Sequence, residues 1–391
     1  MKHFRRRKKR TAIKFTALIT APMLIALLAN SAISNGRMIH SYELSKTGAE
    51  QSHYSAKKST EPQESRIKQT EIDISDIPSV LSEGYGVNAE TDDDMLQKLV
   101  SPLEMVSTNQ GEKPYPSESE WNIGGGTIVR TTYGKYSGDC IFDLANGGQV
   151  NNKTSVPNET LIEESKYLPD FDITDTSEPQ VLIYHTHTTE SYEPYVREEY
   201  DPSFNYRTTD ETKNMVMVGD AIQAELEAQG IGVVHVRTIH DYPSYNGSYG
   251  RSRESIVPIL EQYPSIKVAL DIHRDAISSE NTAYQPFLII NGREAAQIMI
   301  ISGCDDGTLG MPNYMKNFHF ACTLEQKFET DHPGFTRPIL FDYRHYNQDL
   351  TTGSLLIEVG SHGNTLEQAQ YSGQLIGRSL GELLNSMKGI K

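Results

Sequence analysis

The chain has 391 residues, 37% of them hydrophobic, with 36 Lys and Arg against 52 Asp and Glu and a formal net charge of -16. Eight of the basic residues lie within the first fourteen, MKHFRRRKKRTAIK, which hold no acid, so the remainder sets 28 basic against 52 acidic residues, a net of -24. Charge of that sign repels phosphate backbones and argues against nucleic acid as a partner of the bulk of the protein. Cys140, Cys304 and Cys322 show no CxxC or CxH spacing, which argues against a zinc finger, an iron–sulfur site and a disulfide framework.

In chain order, residues 1–14 read as a basic cytoplasmic tail. Residues 15–33, FTALITAPMLIALLANSAI, carry no charge and can span a hydrocarbon core of ~30 Å as a helix. The basic flank holds the N-terminus in the cytoplasm. A cleaved export signal is the competing reading, since Ala29-Asn30-Ser31-Ala32 offers small residues for cleavage. Either reading puts the remaining chain outside the cytoplasm, and the expectation is a single-pass cell-membrane protein. Residues 34–118 are polar with short apolar clusters at 77–81 and 95–100. Such clusters do not offset ordering entropy, so a flexible stalk is expected there. Residues 119–178 read as a small N-terminal part of the ectodomain, with short strands at 127–130 and 141–144.

From residue 179 strands and helices alternate. Apolar runs at 181–184, 232–236, 268–272, 286–290, 297–301 and 355–359 read as strands. Helical periods cover 214–229, 250–262, 313–329 and 365–387, and the stretch between Glu329 and Leu355 reads as a Pro- and Tyr-rich loop. Residues 179–391 are therefore expected to form one α/β domain, a mostly parallel central sheet with helices on both faces.

Three strand ends carry chemistry-bearing residues: YHTHTTE after 181–184, DIHRD in 271–275 and IEVGS in 357–361. In open α/β sheets such groups gather at the carboxyl ends of strands. His187-x-x-Glu190 followed far along by His273 is a ligand spacing suited to catalytic zinc, three protein ligands leaving a fourth position for water. His185 is the alternative first ligand, because positions i and i+2 of an extended segment face the same way. Glu358 suits the acid–base role that amide hydrolysis requires. Asp271 or Asp275 suits the orientation of the His273 ring, and Arg274 stands beside them as a supporting or substrate-binding residue. Ser191 and Ser361 lie in no G-x-S-x-G elbow, and no P-loop or G-x-G-x-x-G is present.

VLIYHTHTTESY, SYNGSYGRSRES, LDIHRDA and RHYNQDLTTGSLLIEVGSHGNTLEQA, in that order, resemble the stage II sporulation protein P family of endospore-forming bacteria. The resemblance covers roughly residues 120 to 387. It implies a membrane-anchored, zinc-dependent peptidoglycan hydrolase related in fold to the N-acetylmuramoyl-L-alanine amidases. Amidase activity on the bond between N-acetylmuramic acid and L-Ala is implied, with endopeptidase activity on stem-peptide cross-links. The implied setting is engulfment of the forespore, from the mother-cell membrane, with stage II sporulation proteins D and M as partners. Residue by residue, His187 falls on the metal-binding His that ends the first amidase strand, His273 on the later ligand and Glu358 on the catalytic Glu. The amidase second ligand begins the next helix, where this chain offers only Asp210 and Glu211. Glu190 instead resembles the His-x-x-Glu of zinc carboxypeptidases. Two other readings stand beside the enzyme: a catalytically idle wall-binding or scaffold subunit of a membrane complex, and a zinc peptidase acting on proteins.

Overall fold

A computed structural model of the chain describes residues 70–73, 111–122, 124–174 and 178–389. The expected basic tail, the membrane segment 15–33 and most of the expected stalk lie outside the described residues. No helix among the described residues is long and apolar enough to cross a membrane. The end of the expected stalk, from residue 111, is packed chain: the Lys113 carbonyl accepts from Thr209 N at 2.8 Å, and Tyr115 Oη donates to Tyr192 O at 2.8 Å.

The central sheet has eight strands: β1 (Ile141–Asp143), β2 (Gln149–Asn152), β3 (Val181–Tyr184), β4 (Val233–His235), β5 (Val268–Asp275), β6 (Ile298–Gly303), β7 (Thr336–Asp342) and β8 (Gly353–Ser361). Their spatial order is β1-β2-β7-β6-β8-β5-β3-β4. All neighbouring pairs are parallel except β1 with β2 and β6 with β8. The mostly parallel α/β sheet expected from the sequence is therefore present. A second sheet orders Ser278–Ser279, Thr282–Ile290, Gly126–Thr131 and Glu199–Tyr200, with Arg293–Ala296 pairing on Thr282–Ile290. The apolar run 286–290 belongs to this smaller sheet and not to the central one.

β7 corrects the sequence reading of a loop. Its TRPILFD contains Pro338, which cannot donate to a ladder. The proline sits where the β6–β7 register shifts, between the pairs Met299–Arg337 and Ile301–Leu340, a bulge that tolerates the missing N–H.

The described residues also form five helices: α1 (Asn158–Glu164), α2 (Met215–Ala228), α3 (Ser248–Gln262), α4 (Tyr314–Asp331) and α5 (Leu366–Met387). Asn214 caps α2 by accepting from Val216 N, and Thr365 with Gln368 forms a capping box at the start of α5. Alternation along the strands sorts side chains to two faces. Val181, Ile183, Leu270, Ile272, Leu355, Ile357, Ile298 and Ile300 join residues of α2, α4 and α5 in the main core. The opposite face carries Leu182, Tyr184 and Ala269 under Ile256 of α3, and a separate cluster of Met299, Ile301, Leu340 and Leu356. Helices thus flank both faces, α1, α2, α4 and α5 on one and α3 on the other, and the face of α3 is the one that carries Asp271, His273 and Glu358.

α5 packs closely on α2 through glycines. A Cβ at Gly377 would lie 2.6 Å from Ile222 O, and one at Gly373 2.9 Å from Val218 O. Gly377→Ala should lower the unfolding midpoint: forced overpacking costs ~1–3 kcal/mol, against a helix-propensity gain of about 1 kcal/mol. Gly250→Ala, in open space on α3, should raise it. Urea denaturation of both variants checks the contrast, and a stabilised Gly377→Ala would contradict it.

Candidate metal centre

The chain leaves β3 at Tyr184 and turns, and three threonines fix that turn. Thr186 N and Oγ1 donate to the two oxygens of Asp271, at 2.8 and 2.7 Å. Thr188 Oγ1 is placed to donate to His185 O at 2.8 Å and Thr238 O at 2.9 Å. Thr189 N and Oγ1 donate to Asp241, at 3.0 and 2.7 Å. Because the backbone is turning, His185 and His187 do not face the same way. His185 Nδ1 lies 2.9 Å from Ile272 O and Nε2 lies 2.8 Å from His235 Nε2, beside Gly219 of α2. The structure therefore places His185 toward the helical face, away from His273. The i, i+2 argument for it does not apply, because the segment is not extended.

His187 comes to His273, ring centroids 5.1 Å apart and edge-on. His273 Nδ1 is 3.7 Å from Glu190 Oε2, and its Nε2 is in contact with Asp271 Oδ1 at 2.8 Å. Glu358 on β8 stands opposite His273 on β5 in parallel register. All four side chains are buried, and Glu358 Oε2 has no hydrogen-bond partner among the described residues. Glu190 is held from two sides, by Arg274 N at 3.1 Å and Arg207 Nη2 at 3.2 Å. The Arg274 guanidinium serves the adjoining loop, with Nε donating to Ser191 O at 2.9 Å and Nη2 to Tyr206 O at 3.0 Å. Asp275 accepts from Arg337 Nη1 at 2.8 Å. Asp210 is turned to its own loop, accepting from Thr212 N and Oγ1, and Glu211 faces Arg237.

Burial, and then the charge of His273, hold His187 well below the usual imidazole range. Burial lowers His273 too, yet Asp271, then Glu190 and Glu358, raise it to about 9. Burial and next the charge of Asp275 push Glu358 up, with His273 opposing. The site thus keeps His187 neutral, as a metal ligand must be, while the carboxylates around His273 favour its protonated form, a proton it would give up to a bound metal.

Among the described residues, no three His, Cys, Asp or Glu side chains close around one point in metal-binding geometry. The His187 ring is stacked on Tyr245, centroids 4.5 Å apart at 14°, with Nε2 3.0 Å from Tyr245 Oη and Nδ1 3.4 Å from Ser248 Oγ. The donor chemistry nevertheless fits a zinc ion. Two ligand atoms on one tetrahedral zinc stand roughly 3.4 Å apart, given bonds of about 2.0–2.2 Å, close to the 3.7 Å between His273 Nδ1 and Glu190 Oε2. Asp271 Oδ1 stands 2.8 Å from the other ring nitrogen of His273, the place of the usual outer partner of a ligating histidine.

Residues 36–381 match the family model for stage II sporulation protein P (SpoIIP). The chain belongs to the SpoIIP family. Stage II sporulation protein P of Bacillus subtilis (strain 168) is 32% identical over 203 residues, 49% of this chain and 47% of that protein. This chain thus aligns with about half the length of that SpoIIP relative. Two solved structures are similar at low level. The N-acetylmuramoyl-L-alanine amidase AmiC2 of Nostoc punctiforme aligns over 54% of this chain and 98% of its own, at 13% identity and a TM-score of 0.32. The CwlD amidase from Clostridioides difficile, solved in complex with the GerS lipoprotein, aligns over 53% and 99%, at 9% identity and a TM-score of 0.35. At such scores these alignments add nothing to what the residues of this SpoIIP chain say about the site.

Arg207, Tyr245 and Asp241 were not singled out by sequence reasoning. Tyr245 lies within the quoted SYNGSYGRSRES, but no spacing relates it to His187, and Arg207 sits in an irregular loop without a motif. Asp271→Asn should weaken zinc binding about 10–100-fold, the usual effect of losing an outer partner of a metal ligand, with the fold kept. Chelator competition on the purified protein measures this, and wild-type affinity would deny Asp271 its orienting role.

Proposed function

We propose that this chain is a membrane-anchored, zinc-dependent peptidoglycan hydrolase. Its substrate bond is the amide between N-acetylmuramic acid and L-Ala, and stem-peptide cross-links are a second target. The observation that carries the reading is that His273 lies edge-on to His187 and 3.7 Å from Glu190, beside a buried Glu358 whose Oε2 has no hydrogen-bond partner among the described residues. A pure wall-binding subunit has no use for such a set. Membership of a sporulation family favours a cell-wall substrate over a soluble protein. Residues 15–33 serve as the anchor in this reading, with the domain extracytoplasmic and stage II sporulation proteins D and M as partners.

His187, Glu190 and His273 would hold the zinc. When bound, the ion supplies Lewis acidity toward water and the scissile carbonyl. Asp271, itself fixed by Thr186, keeps the His273 ring in one orientation. Glu358 takes a proton from the attacking water and returns it to the leaving nitrogen, which cannot depart as an anion. Burial raises its proton affinity, which suits the second half of that task. Tyr249, edge-on to His187 at 5.6 Å and stacked with Tyr346 at 5.0 Å, adds an aromatic wall on which a sugar ring or peptide stem can pack.

Glu358→Gln should keep the fold and the zinc and lose about 10²–10⁴-fold in turnover, the usual worth of a positioned acid–base group. Zinc stoichiometry and turnover on purified peptidoglycan, with mass analysis of the products, test this together. Release of free L-Ala amino termini supports the amidase; unchanged turnover in Glu358→Gln would reject its role, and a fully active metal-free protein would reject zinc.

A further inference from the structure

Residues 111–122 lie along the loop that carries Glu190 and Arg207. Pro114 and Pro116 flank Tyr115 and bias this stretch to extended backbone. The backbone of Lys113 is spent on that loop: its N–H donates to Thr209 Oγ1 at 2.8 Å, and its carbonyl accepts from Thr209 N at 2.8 Å and Thr208 Oγ1 at 2.7 Å. Tyr115, Trp121 and Phe204 form an edge-to-face trio with centroids 5.1 to 5.5 Å apart. The Arg197 guanidinium lies 4.2 Å over Trp121 and pairs with buried Glu193, which also accepts from Tyr206 Oη. Asn122 N donates to Asp201 at 2.7 Å.

These contacts close a loop at one place. Glu190 and Arg207 form an isolated antiparallel bridge, so the chain between them leaves and re-enters at the site. At that junction Arg207 touches Glu190, pairs with Asp241 and lies 4.8 Å over Tyr245, the ring on which His187 is stacked. One side chain thereby abuts the supports of two of the three residues assigned to the metal.

We infer that residues 111–122 are a positioning strap for the metal centre, acting through Arg207: while the strap is docked, Glu190 and the Tyr245–His187 pair are held in place, and when it lifts the site loses affinity for zinc. This rests on the zinc reading above and deepens it, because the site is then controlled by the chain segment that joins the domain to its N-terminal region. The coupling is reciprocal by linkage, so zinc must also tighten the strap.

Trp121 is the only tryptophan of the chain and reports strap docking directly. The experiment is a zinc titration of the full-length, metal-stripped protein in detergent, following metal occupancy, Trp121 emission and its access to a soluble quencher. Wild type should show Trp121 becoming less accessible with the same midpoint as occupancy. Tyr115→Ala, which removes one member of the trio and keeps the reporter, should weaken zinc about 10–100-fold, the range for losing outer supports of a metal site. Tyr115→Phe, which gives up only the hydrogen bond to Tyr192 O, should recover most of it. Gly377→Ala, which overpacks α5 against α2 away from the site, should leave affinity unchanged and so separates positioning from general stability. Should Tyr115→Ala not fold, the wild-type titration and Tyr115→Phe decide. Zinc bound at full affinity by Tyr115→Ala, or a Trp121 signal indifferent to zinc in wild type, overturns the strap alone. Absence of zinc from wild type overturns the metal reading and the strap with it.

Discussion

Parallel pairing of β5 with β8 sets Leu356 beside Asp271 and Glu358 beside His273. A slip of one residue would send His273 or Glu358 into the packed helical face, because strand side chains alternate. The main-core residues Leu270, Ile272, Leu355 and Ile357 forbid that slip, since all are buried against helices. Apolar packing on one face therefore fixes the chemistry on the other. The same alternation places Tyr184 of β3 next to Asp271, where the chain turns to deliver His187.

A cluster of buried ionisable groups is costly unless each is paired. The molecule meets this with three arginines at its margin: Arg207 on Glu190 and Asp241, Arg274 on the backbone of the loop, and Arg337 on Asp275. Within the site, Glu358 Oε2 and His273 Nε2 are buried with no hydrogen-bond partner among the described residues. An unsatisfied buried carboxylate is poor for stability and good for proton transfer. The strap extends the same logic outward, with aromatic packing around Trp121 holding the loop that holds Glu190.

Much of this was legible in the sequence. The buried strands read as apolar runs, as parallel strands covered on both faces must, and the helices over 214–229 and 365–387 read as apolar periods. Pro338 hid β7, because a proline inside a run speaks against a strand unless a bulge receives it. The run 286–290 looked like any other buried strand, and only tertiary pairing assigns it to the smaller sheet. At the site, His187, Glu190, His273 and Glu358 were visible as spacing and strand ends. The separation of His185 from His187 was not, since it depends on a turn fixed by Asp271 and Asp241, far along the chain. Arg207 carried no local signal, because the groups it meets, Glu190, Asp241 and Tyr245, lie elsewhere in the chain.

The most direct measurement of the metal centre is zinc K-edge X-ray absorption on the purified protein. The account predicts a first shell of two imidazole nitrogens with carboxylate and water oxygens, no sulfur, and loss of one imidazole or of the metal in His273→Ala. A sulfur-containing shell, or a shell that His273→Ala leaves unchanged, would contradict it.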